Sequence, residues 1–552
     1  GLFTSSPEKL IEFFKFDEVV GIKFSMLIHY AFMVKDQDLA VSKYQSMYDR
    51  AMTLSSELDS AGSFMRPEIL ELSDEVIARY FAENENLGKY RHLFDNILRS
   101  KNHSRSKEVE ELLAEVGRID DTPYNTFSFF NNADIEFPTV EDEKGTLSKL
   151  SHGRYSSALF NQNRDYRERV YKNFYKPYIQ NKNMLASLFN GNIKTKTFHA
   201  KARKYNSTRE AALDTNNIPI SVYDNLISSI NKNLTPLHRW LNVKKKVLNL
   251  DEFHPYDSYV SLFPEIQKKY TYEEGREIVI ESLKPLGDEY LSFLNKAFNE
   301  RWIDVHETKG KRSGAYSSGT IYTKHPFVLL NWNDQLNDVF TLAHEMGHNM
   351  HSYLTGMTQP YIYSNYTIFV AEVASTVNEA LLLDFLIRNA KSEDEKLFLF
   401  EKYLLNVQTT FYRQTRFAEY EQLTHSLVEK GEALTAESLT KYFSDMYQKY
   451  WGEKMVVDEE EGYSWARVPH FYYNFYVYQY ATGFSAAEAL SMQILNDGET
   501  SIEKYLNFLK SGSSDYSINL LRKAGVDMDK PEPVNAVIDK ANKILDQLES
   551  IL

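Results

Sequence analysis

The sequence contains no cysteine, which excludes disulfides, a thiolate nucleophile and any metal site built on sulfur. A transition metal in this chain must therefore rest on histidine and carboxylate groups. Apolar runs of membrane-spanning length are missing too. The opening Gly1-Leu2-Phe3-Thr4 lacks a basic stretch followed by an apolar one, so a cytoplasmic protein that engages no membrane is expected. The chain does not begin with Met, and a segment removed before Gly1 would leave no trace in it. Basic charge is scarce as well. The formal net charge is -14, which argues against a nucleic-acid partner, because displacing counterions from phosphates requires a basic face. The longest cationic cluster, Lys244-Lys245-Lys246, reads as solvated helix surface.

Aromatic residues, in contrast, are abundant. The 552 residues include 38 Tyr and 34 Phe, enough to fill more than one core, and such tyrosines either pack or line a cleft with their polar tips. Helical patterning dominates. Ser6-Pro7 supplies a cap and a first-turn proline before Leu10, Ile11 and Phe14 at helical spacing, and similar patterns run through Tyr80 to Leu98 and Val109 to Val116. Between Asp120 and Glu143, Pro123, Pro138 and Asn131-Asn132 interrupt the rhythm. A boundary near Pro138 is expected there, separating an N-terminal helical region, 1–138, from a larger region, 139–552. Strand signals concentrate between Gly314 and Trp332, in Gly314 to Gly319, Thr320-Ile321-Tyr322 and Phe327-Val328-Leu329-Leu330. They predict either an ordinary buried hairpin or a small β-sheet whose edge could pair with an extended peptide.

Immediately after that segment comes His344-Glu345-Met346-Gly347-His348. On a helix, histidines four residues apart lie one turn apart on one face and can grip one ion. The context predicts a helix from about Asn337 to Tyr353, with Asn337 or Asp338 as cap and an end before Gly356. Val339, Leu342, Met346, Met350 and Tyr353 form its apolar stripe, with the histidines on nearly the opposite side. A structural pair of histidines is the competing explanation. A catalytic zinc needs a third protein ligand, and Glu372 is the candidate. It lies in Phe369 to Leu381, a segment apolar enough to predict a buried helix, where an unpartnered carboxylate would be costly and a metal would remove the cost. Glu379, two turns on, is suited either to holding a ligand histidine by its other ring nitrogen or to a salt bridge. His351 lies roughly 10 Å of helix rise from His344, too far to share the ion, and is expected to be hydrogen-bonded or exposed.

A zinc ion at such a site would activate water and polarise a carbonyl, with Glu345, itself no ligand, moving the proton. The oxyanion then needs donors. His470 to Tyr480 is the richest aromatic stretch in the chain. Read as a helix beginning near Pro469, it sets His470, Tyr473, Tyr476 and Tyr480 on one face, as donors or as packing.

On the HExxH residues, on Glu372 and Glu379 within Glu-Val-Ala-Ser-Thr-Val-Asn-Glu, and on His470 with its tyrosines, the sequence resembles the oligoendopeptidase F branch of the thimet-oligopeptidase-like zinc peptidases. The likeness runs from about Gly145 to Lys530 and more weakly through the N-terminal region. It implies a mainly α, multi-helix, two-lobed ellipsoid with a deep central channel and one Zn2+ per chain. It also implies cleavage of short unstructured oligopeptides at internal bonds. His344, His348 and Glu372 match the zinc ligands, Glu345 the general base, and His470 with the tyrosines the stabilisers of substrate and oxyanion. Tyr480 ranks first, then Tyr476 and Tyr473; the stretch Tyr-Val-Tyr-Gln-Tyr-Ala-Thr-Gly departs by spacing and composition from the Gly-Tyr-x-x-x-Tyr-Tyr-Gly-Tyr pattern of the thimet oligopeptidases. A zinc exopeptidase would need a cation for the substrate carboxylate, for which Arg467 is available. A non-catalytic peptide-binding module would have no use for Glu345.

Overall fold

The periodicities translate almost entirely into helix, and strands are few and short. In the computed structural model, residues 2–266, 268–319, 322 and 324–552 are described; Thr320 and Ile321 of the expected strand segment lie outside them. The strands are β1 (Thr139–Glu141), β2 (Leu147–Lys149), β3 (Ile303–His306), β4 (Tyr316–Ser317) and β5 (Val328–Trp332). β1 and β2 form an antiparallel pair, while the second sheet has the order β3-β5-β4, with β5 parallel to β3 and antiparallel to β4. Val328, Leu329 and Leu330 are buried, as befits the central strand.

The chain packs as two units, each assembled from three separate stretches. The first comprises Gly1–Ser104, Lys268–Leu382 and Leu490–Val526; the second comprises Arg105–Gln267, Leu383–Ala489 and Asp527–Leu552. Pro138 thus lies inside the second unit. The expected break around it is partly helical, since Thr122–Phe129 forms a helix with Pro123 in its first turn, where the missing N–H costs nothing.

In the first unit, α1 (Pro7–Gln37) starts as its sequence predicts, with the Ser6 side chain accepting the Lys9 N–H. Leu10, Ile11 and Phe14 pack with Phe3, Ile69, Ile77, Tyr90 and Phe94. The HExxH helix, α2, spans Leu336–Thr358, so it runs through Gly356 rather than stopping short of it. Neither Asn337 nor Asp338 is the cap. Gln335 occupies that position, and the Asp338 carboxylate reaches back to accept the N–H groups of Gln335 and Asn333 at 2.8 and 2.9 Å, the reciprocal arrangement open to an acid at N3. Val339, Leu342, Met346, Met350 and Tyr353 are all buried.

The next helix, α3 (Ile368–Arg388), lies against α2 at very close range. A Cβ placed on Gly347 would stand 2.5 Å from the Ser375 α-carbon and 2.6 Å from the Ala374 carbonyl oxygen, so only glycine fits between the two backbones. Fully buried Asn378 fixes the register by donating Nδ2–H to the Ala343 carbonyl at 3.0 Å and accepting from Tyr290 OH at 3.1 Å.

The second unit contains α4 (Arg413–Glu429) and α5 (Tyr478–Asp497). It also overturns the reading of Lys244 as solvated surface. Lys244 shares a helix face with Trp240, Leu241 and Val243 and is 1% exposed. Its Nζ donates to the Val260 carbonyl and pairs with Glu401 at 3.6 Å. Burial lowers its pKa to about 8, against the pull of Glu401. Among the described residues no helix is long and apolar enough to cross a membrane.

Gly347→Ala forces backbone apart rather than a flexible side chain. It should destabilise the first unit by about 3 kcal/mol, measured as a lower denaturant midpoint with an unchanged slope.

Candidate metal centre

Among the described residues, His344, His348 and Glu372 bring three ligand atoms within 4.8 Å of one another. His344 Nε2 stands 3.2 Å from His348 Nε2, and Glu372 Oε2 stands 3.4 and 3.5 Å from the two nitrogens. Ligands about 2.0 to 2.1 Å from a tetrahedral zinc are themselves about 3.3 Å apart, so the triangle has the dimensions such an ion requires. Its chemistry agrees. Glu379 Oε1 stands 2.5 Å from His344 Nδ1, a contact that keeps a proton on Nδ1 and leaves Nε2, which faces the other two ligand atoms, as the nitrogen a cation would take. A cation satisfies all three at once.

The electrostatics favour positive charge. Burial disfavours a charged His344, yet the hydrogen bond and charge of Glu379, with Glu345 and Glu372 behind it, push its pKa up to about 9. Burial likewise opposes the Glu372 carboxylate, and the two histidines outweigh it, pulling its pKa down to about 2. The expectation that Glu372 is buried fails: its side chain is 48% exposed. Although α3 is packed over most of its surface, Ala371, Glu372, Thr376 and Glu379 form a strip along one side that is not fully buried. Proximity to the histidines, not depth, makes Glu372 a ligand candidate.

Glu345 is 7% exposed. Burial raises its pKa, tempered by His344 and His348, and its carboxylate accepts the backbone N–H of Ser317 from edge strand β4. His351 differs from its expectation. It is 1% exposed and stacks on Tyr366 with ring centres 3.8 Å apart, and its Nδ1 has no hydrogen-bond partner. Burial lowers its pKa to about 3, and it is no member of the ligand trio.

The aromatic segment, in the second unit, is not the single helix that was expected. Pro469–Tyr472 is a 3-10 turn, Asn474 and Phe475 take left-handed φ of 54° and 56°, and α5 starts only at Tyr478. The rings still gather. His470 has Tyr473, Tyr476 and Tyr480 around it at 5.5, 6.0 and 6.0 Å between centres. Tyr480 OH lies 3.5 Å from His470 Nε2, and the exposed Tyr473 bonds Tyr124 OH at 3.1 Å.

Sequence reasoning missed what holds that turn. Glu421, on the buried side of α4, is 0% exposed, and its Oε1 accepts the Phe475 N–H at 2.5 Å. Burial raises its pKa to about 8, opposed only by that hydrogen bond. The one signal in the sequence is an acid among Phe417, Ala418 and Tyr420.

Three comparisons with known proteins bear on this geometry. Residues 158–539 match the sequence profile of peptidase family M3, and residues 68–137 match the profile described as Oligopeptidase F. The chain is 45% identical over its whole length to Oligopeptidase PepF of Bacillus subtilis, covering 82% of that protein. It is 40% identical over 523 residues to the Oligoendopeptidase F homolog of Lactococcus lactis subsp. lactis, across 95% of this chain and 87% of the relative. Among solved structures, the oligoendopeptidase-F from Enterococcus faecium superimposes with a TM-score of 0.78 at 37% identity, covering all of this chain and 94% of that one.

Two outcomes are expected from these contacts. Glu379→Gln should weaken zinc affinity about 10- to 100-fold, read by competition with a chromophoric chelator. For Glu421, a folded-state pKa of about 8 against 4.5 ordinarily means that the folded protein holds the extra proton between those values. Stability therefore falls as pH rises through that window. Glu421→Gln removes this dependence and should gain on the order of 3 kcal/mol over the parent between pH 5.5 and 8.5, measured by denaturant unfolding at each pH.

Proposed function

The chain belongs to peptidase family M3, and from that premise and the geometry of its HExxH helix we propose that it is a zinc-dependent endopeptidase cutting internal bonds of short unstructured oligopeptides. Membership makes it a peptidase of oligopeptides; the metal, the internal cleavage and the residue roles are the proposal. In it His344, His348 and Glu372 hold the ion, while Glu379 keeps the proton on His344 Nδ1. When bound, zinc supplies Lewis acidity toward water and toward the scissile carbonyl. Glu345 accepts the proton of the attacking water and delivers it to the leaving amine, and burial, by raising its pKa, helps it to return that proton. The Ser317 N–H keeps its carboxylate oriented. His470 and the tyrosines donate to the developing oxyanion. Tyr480, beside His470 Nε2, comes first, followed by Tyr476 and Tyr473.

The observation that carries this reading is the buried Glu345 carboxylate next to a trio of metal-ligand atoms of the right dimensions. A binding module would gain nothing from that acid. An exopeptidase needs a free cation for the substrate carboxylate, and Arg467 is a poor one: its Nε donates to Tyr175 OH at 3.2 Å, with its guanidinium over the rings of Tyr155, Phe174 and Tyr175.

A fluorogenic peptide blocked at both ends should be cut, with activity lost to a chelator and restored by zinc. Glu345→Gln should keep its zinc by elemental analysis while kcat falls about 10²- to 10⁴-fold. Cleavage only of peptides with a free terminus would overturn the endopeptidase assignment, and an unchanged kcat would remove Glu345 from the mechanism.

A further inference from the structure

The second unit contains a partly open cavity of about 50 Å³ whose charged lining consists of Arg413, Arg416, Arg467 and a single acid, Glu461. Arg416 is 5% exposed. Its guanidinium lies against the rings of Tyr447 and Phe443, 4.2 and 5.0 Å from their centres. Its Nη1 is buried without a hydrogen-bond partner, and the nearest carboxylate oxygen, Glu461 Oε1, is 3.9 Å away, beyond bonding reach. Glu461 is occupied on its other oxygen by Tyr171 OH at 3.1 Å. Arg413, half-buried, donates to Tyr259 OH at 3.0 Å and to the Thr409 carbonyl at 3.2 Å. Among the described residues no ion pair closes on Arg413 or Arg467.

Three guanidinium groups thus face one carboxylate. A buried lysine can relieve such an excess by losing its proton, as the lowered pKa of Lys244 illustrates. An arginine cannot, because it stays protonated at any accessible pH, and an unpartnered buried charge is costly. The 3.9 Å pair with Glu461 offsets only part of this charge, and an anion would offset more. Water alone satisfies the Nη1 donor but leaves the charge, and a cavity in which one water needs about 10 to 15 Å³ admits a small anion together with a few waters.

We propose that this cavity binds one monovalent inorganic anion of chloride size, held by Arg416 Nη1 in the positive field of Arg413 and Arg467. Arg467 is three residues before His470. Burial and the charge of Arg413 together lower the His470 pKa, so the field that the anion offsets already extends to the aromatic cluster.

The test uses the full chain in sodium salts at fixed ionic strength. Chloride and bromide should raise the unfolding temperature saturably, by about 3 °C at a hundredfold excess over Kd, whereas gluconate, too bulky for the cavity, should not. Crystals grown in bromide should give an anomalous peak within hydrogen-bonding distance of Arg416 Nη1. Arg416→Gln should abolish the saturable rise; should that variant fail to fold, Arg413→Gln should move its midpoint to about tenfold higher bromide. Equal responses to chloride and gluconate, a cavity without a bromide peak, or an Arg413→Gln midpoint unchanged from the parent would each overturn the proposal.

Discussion

The backbone contact between α2 and α3 at Gly347 is the constraint on which the rest of the candidate metal centre depends. With Ser375 and Ala374 pressed against a residue that has no side chain, the helices lie close enough for Glu372 Oε2 to come within 3.5 Å of both imidazole nitrogens. Asn378, bonded to the Ala343 carbonyl, then prevents one helix from sliding along the other. Helices separated by ordinary side chains pack with axes about 8 to 10 Å apart, and a carboxylate one rotamer away from its place would no longer close the triangle. Packing geometry comes first here, and ligand chemistry follows from it.

Much of this was legible in the residues and some of it was not. The His344 and His348 pair was readable because helical periodicity and metal chemistry agree on a spacing of four, and the buried stripe from Val339 to Tyr353 is the same periodicity seen from the other side. Glu372 was identified through an argument from burial that the structure does not support, since what mattered was its distance from the histidines. Lys244 misled for a related reason. Three consecutive lysines look solvated, yet a helix turns each one to a different side, and only Lys244 meets Trp240 and Glu401.

The aromatic segment shows where local pattern runs out. Ring spacing suggested one helical face, and the rings of His470, Tyr473, Tyr476 and Tyr480 do gather, but they do so around a turn with two left-handed residues that are not glycine. Such a conformation is unfavourable in isolation and persists because tertiary contacts impose it. Glu421, from more than fifty positions earlier in the chain, is one of those contacts, and no window of sequence reveals it. The unit boundaries were hidden in the same way, because each unit is closed by segments distant from one another in the chain.

The ligand set has a consequence for the order in which the protein folds. His344 and Glu379 are only 35 positions apart, and the carboxylate that completes the triangle lies between them, so the centre is built from two consecutive helices joined by a short connection. Closing that loop costs little entropy, since the cost grows only slowly with length and the length is small. The unit around it must instead recruit residues 490–526 and the N-terminal hundred, contacts of long range that form slowly. During folding, therefore, the three candidate ligand atoms can meet before the unit that shelters them is complete.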